Sequence, residues 1–92
     1  MDTHDGPYEL GVSVVTPKGF FPSDDDYRRA YSNERIQTLL DEVKKQQELT
    51  NTDGWVLTVD ERVIDPSKTF GEESLKCVLD MEWHKAEGGG GA

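Results

Sequence analysis

Residues 36–43, Ile36-Gln37-Thr38-Leu39-Leu40-Asp41-Glu42-Val43, decide how this chain folds. Ile36, Leu39, Leu40 and Val43 stand at positions i, i+3, i+4 and i+7, so they share one side of a helix, while Arg35, Asp41, Glu42 and Lys45 fall elsewhere around the wheel. The spacing predicts an amphipathic helix from Glu34 to about Gln47. Ser32 or Asn33 is placed to cap its first N–H groups, and Glu34 complements the positive end of the helix dipole. Asp41 stands four residues before Lys45 as a favourable pair. Fully burying each of the four aliphatic side chains contributes about 1.5–3 kcal/mol, so the stripe demands a partner surface.

That surface is supplied on both sides of the helix. Upstream, Leu10, Val12 and Val14 alternate with Gly11, Ser13 and Val15, the period of a half-buried strand, and Pro17-Lys18-Gly19 ends it with turn chemistry. Phe20 and Phe21 follow, then a charged loop at Asp24, Asp25 and Asp26. Tyr27 to Tyr31 suits a second strand that forms a hairpin with the first. Downstream, Thr50 to Gly54 is a polar connector before a strand with Trp55, Leu57 and Val59 on one side. Asp60 to Arg62 reads as a tight reversal, Val63-Ile64 as a short strand, and Phe70 and Leu75 as anchors of an irregular segment. Leu75, Cys77, Leu79, Met81 and Trp83 then alternate with polar neighbours, the longest strand pattern in the chain, suited to a sheet centre. Hairpin, helix, strand, short strand and long strand make an α+β domain, a mixed sheet packed on one main helix.

The 92 residues suffice for one domain, which buries about 60% of its unfolded surface or a little more. Ten Lys and Arg against nineteen Asp and Glu leave a formal charge of -9. That charge argues against nucleic acid or an anionic membrane as partner and favours a basic protein surface. Cys77 stands alone, so no internal disulfide is expected, and its place in the alternating pattern reads as a small buried hydrophobe. No signal segment or long apolar run is visible, and the expected location is cytoplasmic. His4 and His84 lack partners at metal-ligand spacing, and Asp24 to Asp26 lack the patterned spacing of a calcium loop. No catalytic constellation or cofactor motif stands out; no metal or cofactor is expected, and the chain is not read as an enzyme.

At this point the chain resembles the ubiquitin-like β-grasp family, over roughly Glu9 to Gly91, in the order of its elements and in its glycine-ended tail. The phrases Val15-Thr16-Pro17-Lys18-Gly19-Phe20-Phe21-Pro22, Ile64-Asp65-Pro66-Ser67-Lys68-Thr69 and Glu82-Trp83-His84-Lys85-Ala86-Glu87-Gly88-Gly89-Gly90-Gly91-Ala92 look like the small bacterial ubiquitin-like proteins encoded beside adenylating, conjugating and deconjugating enzymes. Met1 to Tyr8, polar with a Gly6-Pro7 break, reads as a flexible leader at 1–8, and the resemblance implies a β-grasp domain at 9–84 and a flexible glycine-rich tail at 85–92. It also implies as partners an adenylating activating enzyme, a conjugating enzyme, a deconjugating peptidase and target proteins. Conjugation and processing fall on Gly88, Gly89, Gly90, Gly91 and Ala92. Partner binding falls on Trp83, His84, Val56 and Thr58, although for Trp83 packing as the last core residue is the favoured alternative.

Two departures bear on this. Thr58, beside Val56, stands nearest the position of ubiquitin's aliphatic patch, and Glu87 precedes the glycines where ubiquitin's tail is basic. Ala92 covers the glycine carboxylate that conjugation would use, so the resemblance implies a precursor trimmed after Gly91, or after Gly89 to leave a diglycine end.

Extended, Lys85 to Gly91 reaches at most roughly 23–25 Å, enough to carry a carboxylate into another protein's active site. Glycine lets the backbone pass a narrow channel, although the same composition also serves idle spacers. Three functions use such a molecule: a modifier conjugated to targets, a sulfur carrier bearing a terminal thiocarboxylate, and a non-covalent adaptor that works through its sheet. The Ala92 extension favours the modifier.

Overall fold

The structure, a computed structural model, describes residues 6–86. The alternation upstream of the helix becomes β1 (Glu9–Thr16), whose Leu10, Val12, Val14 and Thr16 side chains are buried on one face. A turn then leads into β2 (Gly19–Phe21), and after a loop the chain returns as β3 (Arg28–Tyr31). Both pair antiparallel with β1, β2 along its second half and β3 along its first. Helix α1 (Ile36–Gln47) is followed by β4 (Trp55–Val59), β5 (Arg62–Ile64) and β6 (Val78–Lys85). The sheet runs β2-β1-β6-β4-β5, with β3 also on β1, and the β1–β6 pair is parallel. A parallel pair needs a long crossover rather than a tight turn. Here the connection carries α1 and the β4–β5 hairpin.

The stripe that opened the reading is fully used. Ile36, Leu39, Leu40 and Val43 are each no more than 1% exposed, in one core with Val12, Val14, Leu57, Ile64, Phe70 and Met81. One helix therefore covers one face of a mixed sheet, the α+β arrangement expected, and among the described residues no helix covers the second face.

Several local expectations are corrected. The helix begins at Ile36, with Arg35 as N-cap and no side-chain cap. Its first N–H groups are instead taken by a distant loop: Ile36 N donates to the Lys68 carbonyl (3.0 Å) and Gln37 N to that of Pro66 (2.9 Å). Ser32 is turned away to accept from Tyr8 N, and Glu34 grips Arg28. Asp41 accepts from Gln37 Nε2 at 2.9 Å. Phe20 and Phe21 are strand residues, with Val15 opposite Phe20, whereas Tyr27 precedes β3. The loop between β2 and β3, two strands that both pair with β1, carries Asp24 to Asp26.

The last strand begins at Val78, not Leu75. Cys77 sits at φ 68, a left-handed bend outside the ladder, and is exposed, so the buried-hydrophobe reading is overturned. Leu75 and Phe70 are buried anchors of the loop that precedes the bend, joined by Leu75 N donating to the Phe70 carbonyl at 2.9 Å. The domain is also slightly longer than 9–84. Tyr8 N donates to Ser32 Oγ (3.0 Å) and Tyr8 Oη to the Leu75 carbonyl (2.8 Å), so Tyr8 is tied into the fold. Lys85 lies within β6 opposite Trp55.

Candidate functional site

The tail leaves the domain from β6, which lies between β1 and β4. The ladder to β1 reaches Val15 opposite Glu82, while the ladder to β4 continues through Leu57–Trp83 and Val56–His84 to Trp55–Lys85. The root of the tail is thus held by β4 after β1 has turned away. Its position is set by backbone pairing rather than by a loop.

Alternation along β6 sends neighbouring residues to opposite faces. Trp83 points toward the helix, is 4% exposed, and meets Trp55 edge to face with ring centroids 5.2 Å apart. Trp83 is therefore a core residue, which corrects its placement on a partner surface. His84 emerges on the open face, with Val56 opposite it and Thr58 opposite Glu82, so His84, Val56 and Thr58 share one face at the tail's root. His84 Nδ1 lies 2.8 Å from the Lys85 carbonyl; a carbonyl only accepts, so Nδ1 carries the proton. His84 Nε2 is 3.9 Å from Glu82 Oε1. Gly88, Gly89, Gly90, Gly91 and Ala92 lie outside the described residues.

A second region of the same face was invisible in the sequence. β1 and β6 bring Ser13 beside Asp80, whose Oδ1 accepts from Ser13 Oγ (3.0 Å) and from Tyr27 Oη (3.1 Å). The hydrogen bond from Tyr27 to the Asp80 carboxylate, and that carboxylate's negative charge, hold the Tyr27 phenol above the ordinary tyrosine range. Phe20 and the Asp24 to Asp26 loop complete a cleft of about 430 Å³ around them. Its parts come from three separate stretches of chain, and only the acidic run gave a signal.

Behind the sheet, one guanidinium ties β3 to the helix. Arg28 Nη1 and Nη2 donate to the two Glu34 oxygens (3.1 and 2.7 Å), and Nε and Nη2 donate to the two Glu42 oxygens (2.8 Å each). Hydrogen bonds from Arg28 to both carboxylates raise its pKa further above the usual arginine value, so it stays charged. The knot ties the two together on the scaffold.

Among the described residues no group of three or more His, Cys, Asp or Glu could hold a metal ion, and no helix is long and apolar enough to cross a membrane.

No protein-family model matches this chain, and no curated protein matches it in sequence. Solved structures do. A de novo protein designed from ubiquitin aligns with a TM-score of 0.67 at 17% identity, covering 89% of this chain and 94% of its own. The ubiquitin of Caldiarchaeum subterraneum aligns at 0.60 and 12% identity, over 85% of this chain and 94% of its own. The ubiquitin-like domain of tubulin-binding cofactor B aligns at 0.62 and 11% identity, over 91% and 97%. At these identities the likeness establishes the fold, a ubiquitin-like β-grasp.

Proposed function

We propose that this protein is a ubiquitin-like modifier of the bacterial kind, made as a precursor and joined through a tail glycine to target proteins. The observation that carries the reading is the position of the glycine run. It begins at Gly88, two residues after Ala86, and β6 ends immediately before that at Lys85, at the far end of the β4 ladder. A β-grasp head that ends this way can be gripped while its tail enters a separate active site. From Ala86 to Gly91 the extended chain reaches about 20–22 Å.

The chemistry belongs to the partners. A peptidase hydrolyses the bond after Gly91, or after Gly89, and releases the residues beyond it, Ala92 included. The glycine carboxylate then attacks the α-phosphate of ATP in an activating enzyme and expels pyrophosphate. A cysteine of the activating or conjugating enzyme displaces AMP to form a thioester, and a target amine or hydroxyl displaces that thiol. A glycine terminus suits each step because it has no Cβ to obstruct the narrow approach.

Val56, Thr58 and His84 surround the tail root on the open face, and we assign them to recognition by the activating enzyme. The charge of -9 matches a basic partner surface. Mass spectrometry of the tail, recovered from the cells that make the protein, tests the reading. A branched peptide ending in glycine supports it. Replacement of one terminal oxygen by sulfur would make the protein a sulfur carrier, and function that survives deletion of Gly88 to Ala92 would make it an adaptor.

A further inference from the structure

The open sheet face carries exposed aromatic surface at its β2 corner. Phe20 is 51% exposed and stands opposite Val15 in the β1–β2 register; Tyr27, 44% exposed, lies across the cleft from it. Ser13, Asp80, Ser23 and the Asp24–Asp26 loop line the same cleft as the two rings. No lysine or arginine lines this cleft, although four carboxylates do. Two of these have structural work. Asp80 Oδ1 is held by Ser13 and Tyr27, and Asp26 shapes the loop by accepting from Tyr27 N (2.9 Å) and Ser23 Oγ (3.4 Å). Asp24 and Asp25 are exposed.

We infer that this corner of the sheet face is a docking surface for a basic segment of a partner protein, which inserts an arginine between Phe20 and Tyr27. The occupant is chosen by charge and shape together. A guanidinium stacks on an aromatic face while its N–H fork reaches carboxylates, whereas an ammonium gains only the point-charge part. Burying such an arginine against a carboxylate-lined aromatic cleft is the usual make-up of an interface hot spot. A second copy of this chain brings another -9 to a negative surface and is disfavoured. The surface is independent of the tail, so it stands whether or not a glycine is conjugated.

The test is an amide chemical-shift titration of the full chain with the blocked tetrapeptide Leu-Arg-Leu-Arg, up to about 10 mM. Its citrulline counterpart keeps the shape and removes the charge. The arginine peptide should shift Val15, Phe20, Asp25, Tyr27 and Asp80 together, and the citrulline peptide should not. Raising salt from about 0.05 M to about 0.5 M should weaken the effect. Phe20→Ser should abolish it, and Asp24→Asn and Asp25→Asn should each weaken it about threefold. Asp53→Asn, outside the cleft, should leave it unchanged. All four side chains are exposed, and circular dichroism of each variant checks that the fold is retained. Shifts scattered over every acidic surface, equal binding by the citrulline peptide, indifference to Phe20→Ser, a response to magnesium alone, or no localised shift at the highest peptide concentration would each overturn the proposal.

Discussion

Trp55 and Trp83 meet edge to face, their ring centroids 5.2 Å apart and their planes inclined by 75°, where β4 begins and β6 ends. Two large rings thereby fasten the strand that leads into the tail. Trp83 is buried and Trp55 partly so, which makes the contact part of the core. Trp83→Ala is expected to destabilise the domain by about 3–5 kcal/mol, and Trp83→Phe by distinctly less. Urea unfolding monitored by far-ultraviolet circular dichroism measures both. Equal stability of Trp83→Ala and wild type would mean that the tail root is not anchored by this pair.

Arg28 joins β3 to the turn before α1 through Glu34 and to α1 through Glu42, with side-chain exposures of 20% for Glu34 and 46% for Glu42. Charge-assisted bonds to the less exposed carboxylate should count for more. Arg28→Ala should lose about 1–2 kcal/mol, and Arg28→Lys should recover little because an ammonium cannot serve both carboxylates with a planar fork. Double-mutant cycles should give a larger coupling for Arg28 with Glu34 than with Glu42. The reverse order would contradict this account of the knot.

Asp65 turns the chain after β5. Its Oδ1 accepts from Ser67 N (2.9 Å) and Ser67 Oγ (2.7 Å), and those two hydrogen bonds hold its carboxyl below the ordinary aspartate range. The folded state therefore favours the ionised form. The resulting contribution to stability is complete above the unfolded aspartate value of about 3.9 and is lost as pH falls through the depressed folded value. Carboxyl chemical shifts should show Asp65 titrating below a free aspartate. Asp65→Asn should flatten the acid limb of the stability profile, and an unchanged limb would remove Asp65 from it.

The β4–β5 reversal uses two non-glycine residues in the left-handed region, Asp60 at φ 52 and Glu61 at φ 68, between the paired residues Val59 and Arg62. Such a two-residue turn prefers glycine at its second position. The left-handed conformation costs an L-residue about 1–2 kcal/mol, and glycine's extra freedom when unfolded returns about half of that. Glu61→Gly should therefore raise the melting temperature by about 2–8 °C in differential scanning calorimetry. A lowered melting temperature would show that Glu61 makes a compensating contact.

These details show where sequence periodicity is informative. The α1 stripe and the alternations of β1 and β4 were legible because burial on one face repeats at 3.6 or 2 residues. The helix cap was not, because the carbonyls that provide it belong to Pro66 and Lys68. Cys77 lay in an apolar alternation that continues into β6, yet its left-handed φ puts it outside the ladder. The three-residue β2 is too short for its own pattern to stand out. For the candidate site, strand pairing sets Val56, Thr58 and His84 on the open face, while Trp83 falls on the other face of the same strand. The Ser13–Asp80 and Tyr27–Asp80 contacts span 67 and 53 residues, and only strand pairing could bring them together.

The central claim is that a glycine of the run becomes acylating and ends joined to another protein. The most direct measurement is tandem mass spectrometry of tail-derived peptides, taken from the protein purified from its own cells under denaturing conditions. The account predicts loss of Ala92 and a branched peptide in which a glycine carbonyl, at Gly91 or Gly89, is bonded to a side chain of a second protein. A tail that always retains Ala92 and is never joined to another polypeptide would contradict it.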